Sequence, residues 1–86
     1  MSVQSLTVRY FAGARAAAGV QAEAVELDKS STVDEVLELL RARHGARLTM
    51  VLPACSFLLD GVAVRDRAVT VPPGAELDVL PPFAGG

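Results

Sequence analysis

Few side chains of this 86-residue chain could take part in catalysis or metal binding. His44 is the only histidine and Cys55 the only cysteine, so neither has a second nitrogen or sulfur ligand with which to hold a metal. No histidine near Cys55 in sequence could activate its thiol, and its apolar neighbours predict a buried, inert cysteine. His44, near the end of a predicted helix, is expected to interact with the helix dipole. The side chains therefore predict no metal site, no bound cofactor and no enzyme activity of the chain alone.

The carboxylates and glycines do not indicate a catalytic or nucleotide-binding site either. Glu35 and Glu38 fall on the predicted helix, where solvated surface is the usual place for a carboxylate. Gly13 and Gly19 fit neither dinucleotide-binding nor P-loop spacing, since no Gly-Lys-Ser/Thr follows them.

The remaining reactive group is the free α-carboxylate of Gly86, which ends the segment Pro81-Pro82-Phe83-Ala84-Gly85-Gly86. Proline has no N–H for a sheet and glycine has no Cβ, so these residues predict a narrow, flexible tail after a folded domain of residues 1–80. Six extended residues reach up to about 20 Å. A terminal Gly-Gly is expected on roughly one chain in 200 by chance, so a frayed end without a function is the alternative.

A C-terminal carboxylate can carry sulfur if it is first activated. An adenylating enzyme converts it to an acyl-adenylate, and sulfide transfer to that carbonyl gives a thiocarboxylate, whose anionic sulfur is a good nucleophile. This chemistry requires the water-free pocket of another protein. Gly85 and Gly86 could enter a channel too narrow for side chains, while Pro81 and Pro82 stiffen the base of the tail and lower the cost of docking.

Composition excludes several other classes of function. The formal charge is −2, with eight basic and ten acidic residues and no basic block, so nucleic acid is not expected as a partner. No apolar run approaches the ~20 residues that span a bilayer, and residues 1–5 do not resemble a secretion signal. A single cysteine fits a reducing compartment. We expect a small, soluble, cytoplasmic domain.

Alternating apolar residues predict the strands. Residues 6–10, continuing into Phe11, and residues 21–27 form a predicted strand pair. Between them, residues 12–19 fit either a helical turn or a loop. Further strands are expected at 56–59, 62–64 and 76–80, with Asp60-Gly61 suited to the type I′ turn of a hairpin. A short run at 69–71 leads to a turn at Pro72-Pro73-Gly74.

One amphipathic helix is predicted from about Val33 to His44. Thr32 and Glu35 form a capping box, and Gly45 suits the residue after the helix. Residues 47–54 fit a short helix or a packed loop. The apolar stripe of the helix predicted from Val33 to His44 consists of Val33, Val36, Leu37 and Leu40.

The predicted order β-β-α-(short element)-β-β-β indicates an α+β fold with one main helix and a mixed sheet of four to five strands. If the helix packs across that sheet and the first and last strands are central neighbours, the fold is a β-grasp, the ubiquitin-like fold.

The sequence also resembles the MoaD/ThiS sulfur carriers, and most of all the MoaD branch. Val8-Arg9-Tyr10-Phe11-Ala12-Gly13-Ala14-Arg15 is similar to the family's first strand and the turn after it, and Ser31-Thr32-Val33 to its helix start. The segment from Pro73 to Gly86 resembles the family's last strand and its Pro-Pro-x-x-Gly-Gly end. Phe83 stands where the family more often has Val or Thr.

The resemblance implies a β-grasp fold and a non-catalytic carrier subunit of molybdopterin synthase. Gly86 would be adenylated and thiocarboxylated, with ATP and sulfur supplied by partner enzymes, and would donate sulfur to precursor Z for molybdopterin. The implied partners are a MoaE-like large subunit, in a hetero-oligomer, and a MoeB-like adenylating enzyme. Gly85, Ala84, Phe83, Pro82 and Pro81 would form the docking tail. Phe11, Arg15 and Leu80 match a family surface that meets the partners, although strand alternation fits a core position for Phe11 and Leu80 equally well.

Three other functions stay open. The chain could carry sulfur for thiamine or cysteine synthesis, although thiazole carriers often lack the region equivalent to residues 41–54. It could be a ubiquitin-like modifier joined through Gly86 to lysine, or an interaction domain with an idle tail.

Overall fold

A computed structural model describes residues 4–82, which form a five-stranded sheet with three helices. A single 3₁₀ turn, Leu52–Ala54, follows the third helix. The strands are β1 (Gln4–Tyr10), β2 (Ala22–Leu27), β3 (Ser56–Leu59), β4 (Val62–Ala63) and β5 (Glu76–Leu80), and the helices are α1 (Ala12–Ala18), α2 (Val33–His44) and α3 (Ala46–Val51).

The strand order is β2-β1-β5-β3-β4, so the first and last strands of the chain are neighbours at the centre of the sheet. β1 and β5 run parallel, with Val8 opposite Leu77 and Tyr10 opposite Val79, whereas the other pairs are antiparallel. This mixed sheet is the predicted β-grasp arrangement, which the structure confirms.

The core fills the space between one face of the sheet and the helices. β1 contributes Leu6, Val8 and Tyr10, which alternate with more exposed residues as the sequence predicted. The four predicted residues of the apolar stripe of α2 are fully buried. Other large contributors are Val25, Leu27, Leu48, Leu52, Phe57, Val71, Leu77 and Val79.

Helix α2 begins with the predicted capping box. The Thr32 Oγ1 accepts a hydrogen bond from the Glu35 N–H at 3.2 Å, and the Glu35 carboxylate accepts one from the Thr32 N–H at 2.9 Å. Each bond satisfies a backbone donor that has no partner inside the helix, which explains where the helix begins. It ends at His44, directly before Gly45.

The two ambiguous segments are both helical. α1 packs through Ala14, and Gly19 ends it with a φ of 80° that suits glycine. α3 packs through Leu48, which is fully buried. Residues 12–19 have no large apolar side chains. Leu48, Val51 and Leu52 have the i, i+3, i+4 spacing of a helix, but over little more than one turn, which is too short a pattern to exclude a packed loop.

The hairpin between β3 and β4 also matches its prediction. Asp60 and Gly61 have φ angles of 49° and 82°, the positive values that a type I′ turn requires at both central residues. Residues 69–71 form no strand, and only an isolated bridge joins Thr70 to Thr32. Within residues 4–82, no helix is long and apolar enough to cross a membrane.

Candidate functional site

The predicted tail begins directly after the central strand β5. Leu80 ends that strand, Pro81 is half-buried and Pro82 is exposed. Phe83, Ala84, Gly85 and Gly86 lie outside the described residues, so their predicted roles are not tested by the structure. The chain nevertheless leaves the sheet from its centre.

Phe11 and Leu80 lie on the open face of the sheet, opposite the helices. Tyr10 and Val79 are paired and buried on the core side, so the next residue of each strand points to the other face. The Phe11 N–H donates to the Val79 carbonyl at 3.1 Å, which fixes Phe11 beside the end of β5. Phe11 is 37% exposed and Leu80 is half-buried. The structure therefore places both on the surface rather than in the core.

An ion pair that the sequence analysis did not identify lies on the same face. The Arg9 guanidinium donates two hydrogen bonds to the Asp78 carboxylate, from Nε at 2.7 Å and from Nη2 at 2.8 Å. The Asp78 side chain is only 8% exposed, and Glu76 lies 3.4 Å from the Arg9 Nη2. The hydrogen bonds from Arg9 to Asp78 raise the pKa of the guanidinium, which stays charged.

Arg9 also contacts Phe11. Its guanidinium carbon is 5.5 Å from the centroid of the Phe11 ring, within the range of a cation–π interaction. Leu58 in β3 is opposite Asp78 in the sheet and is half-buried. We call Arg9, Phe11, Leu58 and Leu80 the tail-base surface, since they share the open face next to the start of the tail.

Arg15 lies one turn along α1 from Phe11, and its N–H donates to the Phe11 carbonyl at 3.3 Å. The residue is exposed, and it lines a shallow groove together with Ala12, Ala16 and Val20. The structure thus brings the backbone of Arg15 close to the tail-base surface.

His44 belongs to a separate cluster on the helix side of the sheet. Its Nε2 is 2.5 Å from the Glu23 carboxylate, which also accepts hydrogen bonds from the Tyr10 hydroxyl at 2.5 Å and from Arg43 at 2.8 Å. The sequence suggested only a helix-dipole role for His44, because Glu23 is distant along the chain. These hydrogen bonds connect the end of α2 to strands β1 and β2.

Cys55 is buried, as the sequence predicted, and burial raises the pKa of its thiol above the ordinary value. Residues 4–82 contain no group of three or more side chains that could hold a metal ion.

Comparison with known proteins identifies the family. The ThiS family model matches residues 8–86. The molybdopterin synthase sulfur carrier subunit of Chlamydomonas reinhardtii is 33% identical over 82 residues, which cover 94% of this chain and 98% of that protein.

Several solved structures share the fold. SAMP1 from Haloferax volcanii has a TM-score of 0.83 at 27% identity, over 95% of this chain and 99% of that one. A chain in the complex of subunits 1 and 2 of the molybdopterin-converting factor from Helicobacter pylori has a TM-score of 0.71 at 20% identity, over 95% and 99%. The chain therefore belongs to the ThiS family, the MoaD/ThiS sulfur carriers that its sequence resembles, and it has their β-grasp fold.

Proposed function

We propose that this protein is the sulfur-carrier subunit of a molybdopterin synthase. The observation that carries the proposal is the near full-length similarity to the Chlamydomonas carrier subunit. The match of the ThiS family model, which extends to Gly86, supports it. Gly86 would be the sulfur-bearing residue, and the substrate that receives the sulfur would be precursor Z. The catalytic groups would be supplied by a large subunit of the MoaE type.

The sulfur would be loaded in two steps. An oxygen of the Gly86 carboxylate attacks the α-phosphorus of ATP and displaces pyrophosphate, which forms the acyl-adenylate. Sulfide then attacks the carbonyl carbon, the bond to the phosphate oxygen breaks, and AMP leaves. The product is a thiocarboxylate, in which sulfur replaces one carboxylate oxygen. A MoeB-like adenylating enzyme would provide the pocket for both steps.

The folded domain would serve to select these partners. Phe11 and Leu80 give the tail-base surface an apolar part next to the departing tail, and Arg15 adds a positive charge nearby. An apolar area of this kind favours association when a partner covers it. The Helicobacter chain of the same fold, described as one subunit of a two-subunit complex, is consistent with this role.

Mass spectrometry of the protein isolated from its own cells tests the loading step. We expect a gain of about 16 Da at Gly86, for oxygen replaced by sulfur. The matched control is the same protein from cells that lack the adenylating enzyme, which should show no gain. An unmodified tail in the first sample, together with full cellular function after deletion of Gly85 and Gly86, would contradict the proposal.

Reconstitution distinguishes molybdopterin synthesis from the thiamine and cysteine pathways. Thiocarboxylated protein is mixed with a purified large subunit and precursor Z, and molybdopterin formation is measured. We expect one sulfur delivered per carrier molecule, with none from the unmodified protein. Failure of the thiocarboxylated protein would favour a carrier for another pathway.

A protein modifier is a second candidate, because SAMP1, whose fold matches over nearly the whole chain, belongs to proteins described as small archaeal modifiers. In that case the activated Gly86 carbonyl would form an isopeptide bond with a lysine. Larger adducts joined through Gly86 in the same mass spectra would support this function.

A further inference from the structure

We propose that Arg9 is a positioning residue for partner binding: it neutralises Asp78 beneath the tail-base surface and holds Phe11 in place for docking. This inference rests on the proposed function, because it concerns the surface that the carrier would present to its partners. Neither Arg9 nor Asp78 is among the residues that the family resemblance assigned to that surface.

Arg9 and Asp78 lie next to both residues of the apolar part of the tail-base surface. Asp78 lies in β5, two residues before Leu80, and Phe11 follows β1, two residues after Arg9. The two hydrogen bonds from Arg9 to Asp78 fix the plane of the guanidinium, and its central carbon lies 5.5 Å from the Phe11 ring centre. Arg9 therefore connects the strand that precedes the tail to the exposed aromatic side chain beside it.

Arg9 also compensates the charge of the Asp78 carboxylate. Asp78 is too deeply buried to contact a partner directly, since its side chain is only 8% exposed. In the free protein, water near the open face can still partly solvate this carboxylate. A partner that covers Phe11 and Leu80 removes that water, and an unpaired buried carboxylate would then be strongly unfavourable. Loss of Arg9 should therefore weaken folding and, because the partner removes the remaining water, weaken binding further.

Two sets of variants test the role of Arg9. Affinity for the purified large subunit and for the adenylating enzyme is measured by calorimetry, and folding by thermal unfolding. We expect Arg9→Met to weaken binding about tenfold. Arg9→Lys should be intermediate, because lysine keeps the charge but cannot bond the carboxylate with two parallel donors. The double variant Arg9→Met with Asp78→Leu should recover part of the affinity, since it removes the unpaired carboxylate but does not restore the contact with Phe11.

A double-mutant cycle with Phe11 tests the mechanism. If Arg9 acts by holding Phe11, Arg9→Met should weaken binding less in a Phe11→Ala background than in the wild type. The matched control is Arg43→Met, which breaks an arginine–carboxylate pair of similar exposure (46% for Arg43 and 43% for Arg9) on the other side of the sheet. We expect this control to bind within about twofold of the wild type.

Several results would overturn the inference. If a folded Arg9→Met variant binds as tightly as the wild type, Arg9 has no role in docking. If Arg9→Met does not fold, the same comparison is made with Arg9→Lys. Additive effects with Phe11→Ala, without recovery in the Asp78→Leu double variant, would mean that Arg9 contacts the partner directly. A wild-type protein that binds neither partner would overturn the proposed function and this inference together, whereas equal binding of wild type and Arg9 variants overturns the inference alone.

Discussion

Glu23 shows how a single residue connects the sheet to the main helix. Its carboxylate accepts hydrogen bonds from Tyr10 in β1 and from Arg43 and His44 at the end of α2. The Glu23 side chain is 14% exposed. Burial alone would raise the pKa of Glu23, but the hydrogen bonds from these three side chains outweigh burial and lower the pKa below the ordinary 4.5. The charged carboxylate is therefore the form that the fold stabilises.

This lowered pKa predicts acid-sensitive stability. The folded protein binds the Glu23 proton more weakly than the unfolded chain, so the stabilisation is complete above pH 4.5 and is lost as the pH falls through the folded pKa. We expect Glu23→Gln to be less stable than the wild type at neutral pH and to lose less stability on acidification. Urea unfolding at a series of pH values measures this, with the exposed Glu26→Gln of the same strand as control. Parallel pH curves for wild type and Glu23→Gln would contradict the prediction.

Ala12 carries backbone strain next to the tail-base surface. Its φ is 48°, in the left-handed region that disfavours residues with a Cβ. We expect Ala12→Gly to raise the free energy of unfolding by about 1 kcal/mol, because glycine adopts this conformation without the steric cost. Ala16→Gly, in the same helix but without a positive φ, should instead lower it by roughly 0.5–1 kcal/mol. Denaturant unfolding of the two variants checks the sign, and equal losses would contradict the strain argument.

At the scale of elements, the features that depend on neighbouring residues could be predicted from the sequence, whereas those that depend on contacts between distant residues could not. The capping box of α2 and the Asp60-Gly61 turn depend on residues close in sequence, and both were predictable. α1 and α3 were not, because their alanines and single buried leucine gain stability only from packing on the rest of the core. The ion pair of Arg9 with Asp78 joins positions 69 residues apart and depends on the parallel register of β1 and β5. No pattern in either strand alone could reveal it.

The hairpin turn offers a test at this scale. Gly61→Ala should lower the free energy of unfolding by about 1–2 kcal/mol, because alanine is disfavoured at its φ of 82°. Apart from its neighbours in the chain, no residue lies within 4 Å of the added Cβ, so the cost comes from the backbone rather than from a clash.

Gly13→Ala is the matched control for Gly61→Ala. Its Cβ also meets nothing within 4 Å, but Gly13 lies in α1 without a positive φ. We expect Gly13→Ala to raise the free energy of unfolding by up to about 1 kcal/mol. Similar losses in both variants, measured by denaturant unfolding, would show that the sign of φ is not the cause.

On the scale of the whole molecule, folding and the proposed chemistry involve different parts of the chain. The buried core of the described residues extends from Leu6 to Val79 as one cluster, with members from both ends of the sequence. Because the last of these residues lies in β5, the segment that follows leaves the sheet from its central strand. The open face beside this strand carries the tail-base surface. The surface proposed to select partners would therefore lie next to the tail proposed to carry sulfur.

Deletion of Gly85 and Gly86 should separate these two roles. The deletion removes no side chain beyond hydrogen, so no apolar side-chain burial can be lost, and we expect the free energy of unfolding to stay within about 0.5 kcal/mol of the wild type. Sulfur loading and molybdopterin formation should be abolished, because the carboxylate would then belong to Ala84. Val79→Ala provides the contrast: it creates a cavity in the fully buried core and should lower stability by roughly 1–3 kcal/mol. A deletion variant that unfolds as readily as Val79→Ala would show that the end of the chain also supports the fold, and the division between a folded domain and a sulfur-carrying tail would have to be abandoned.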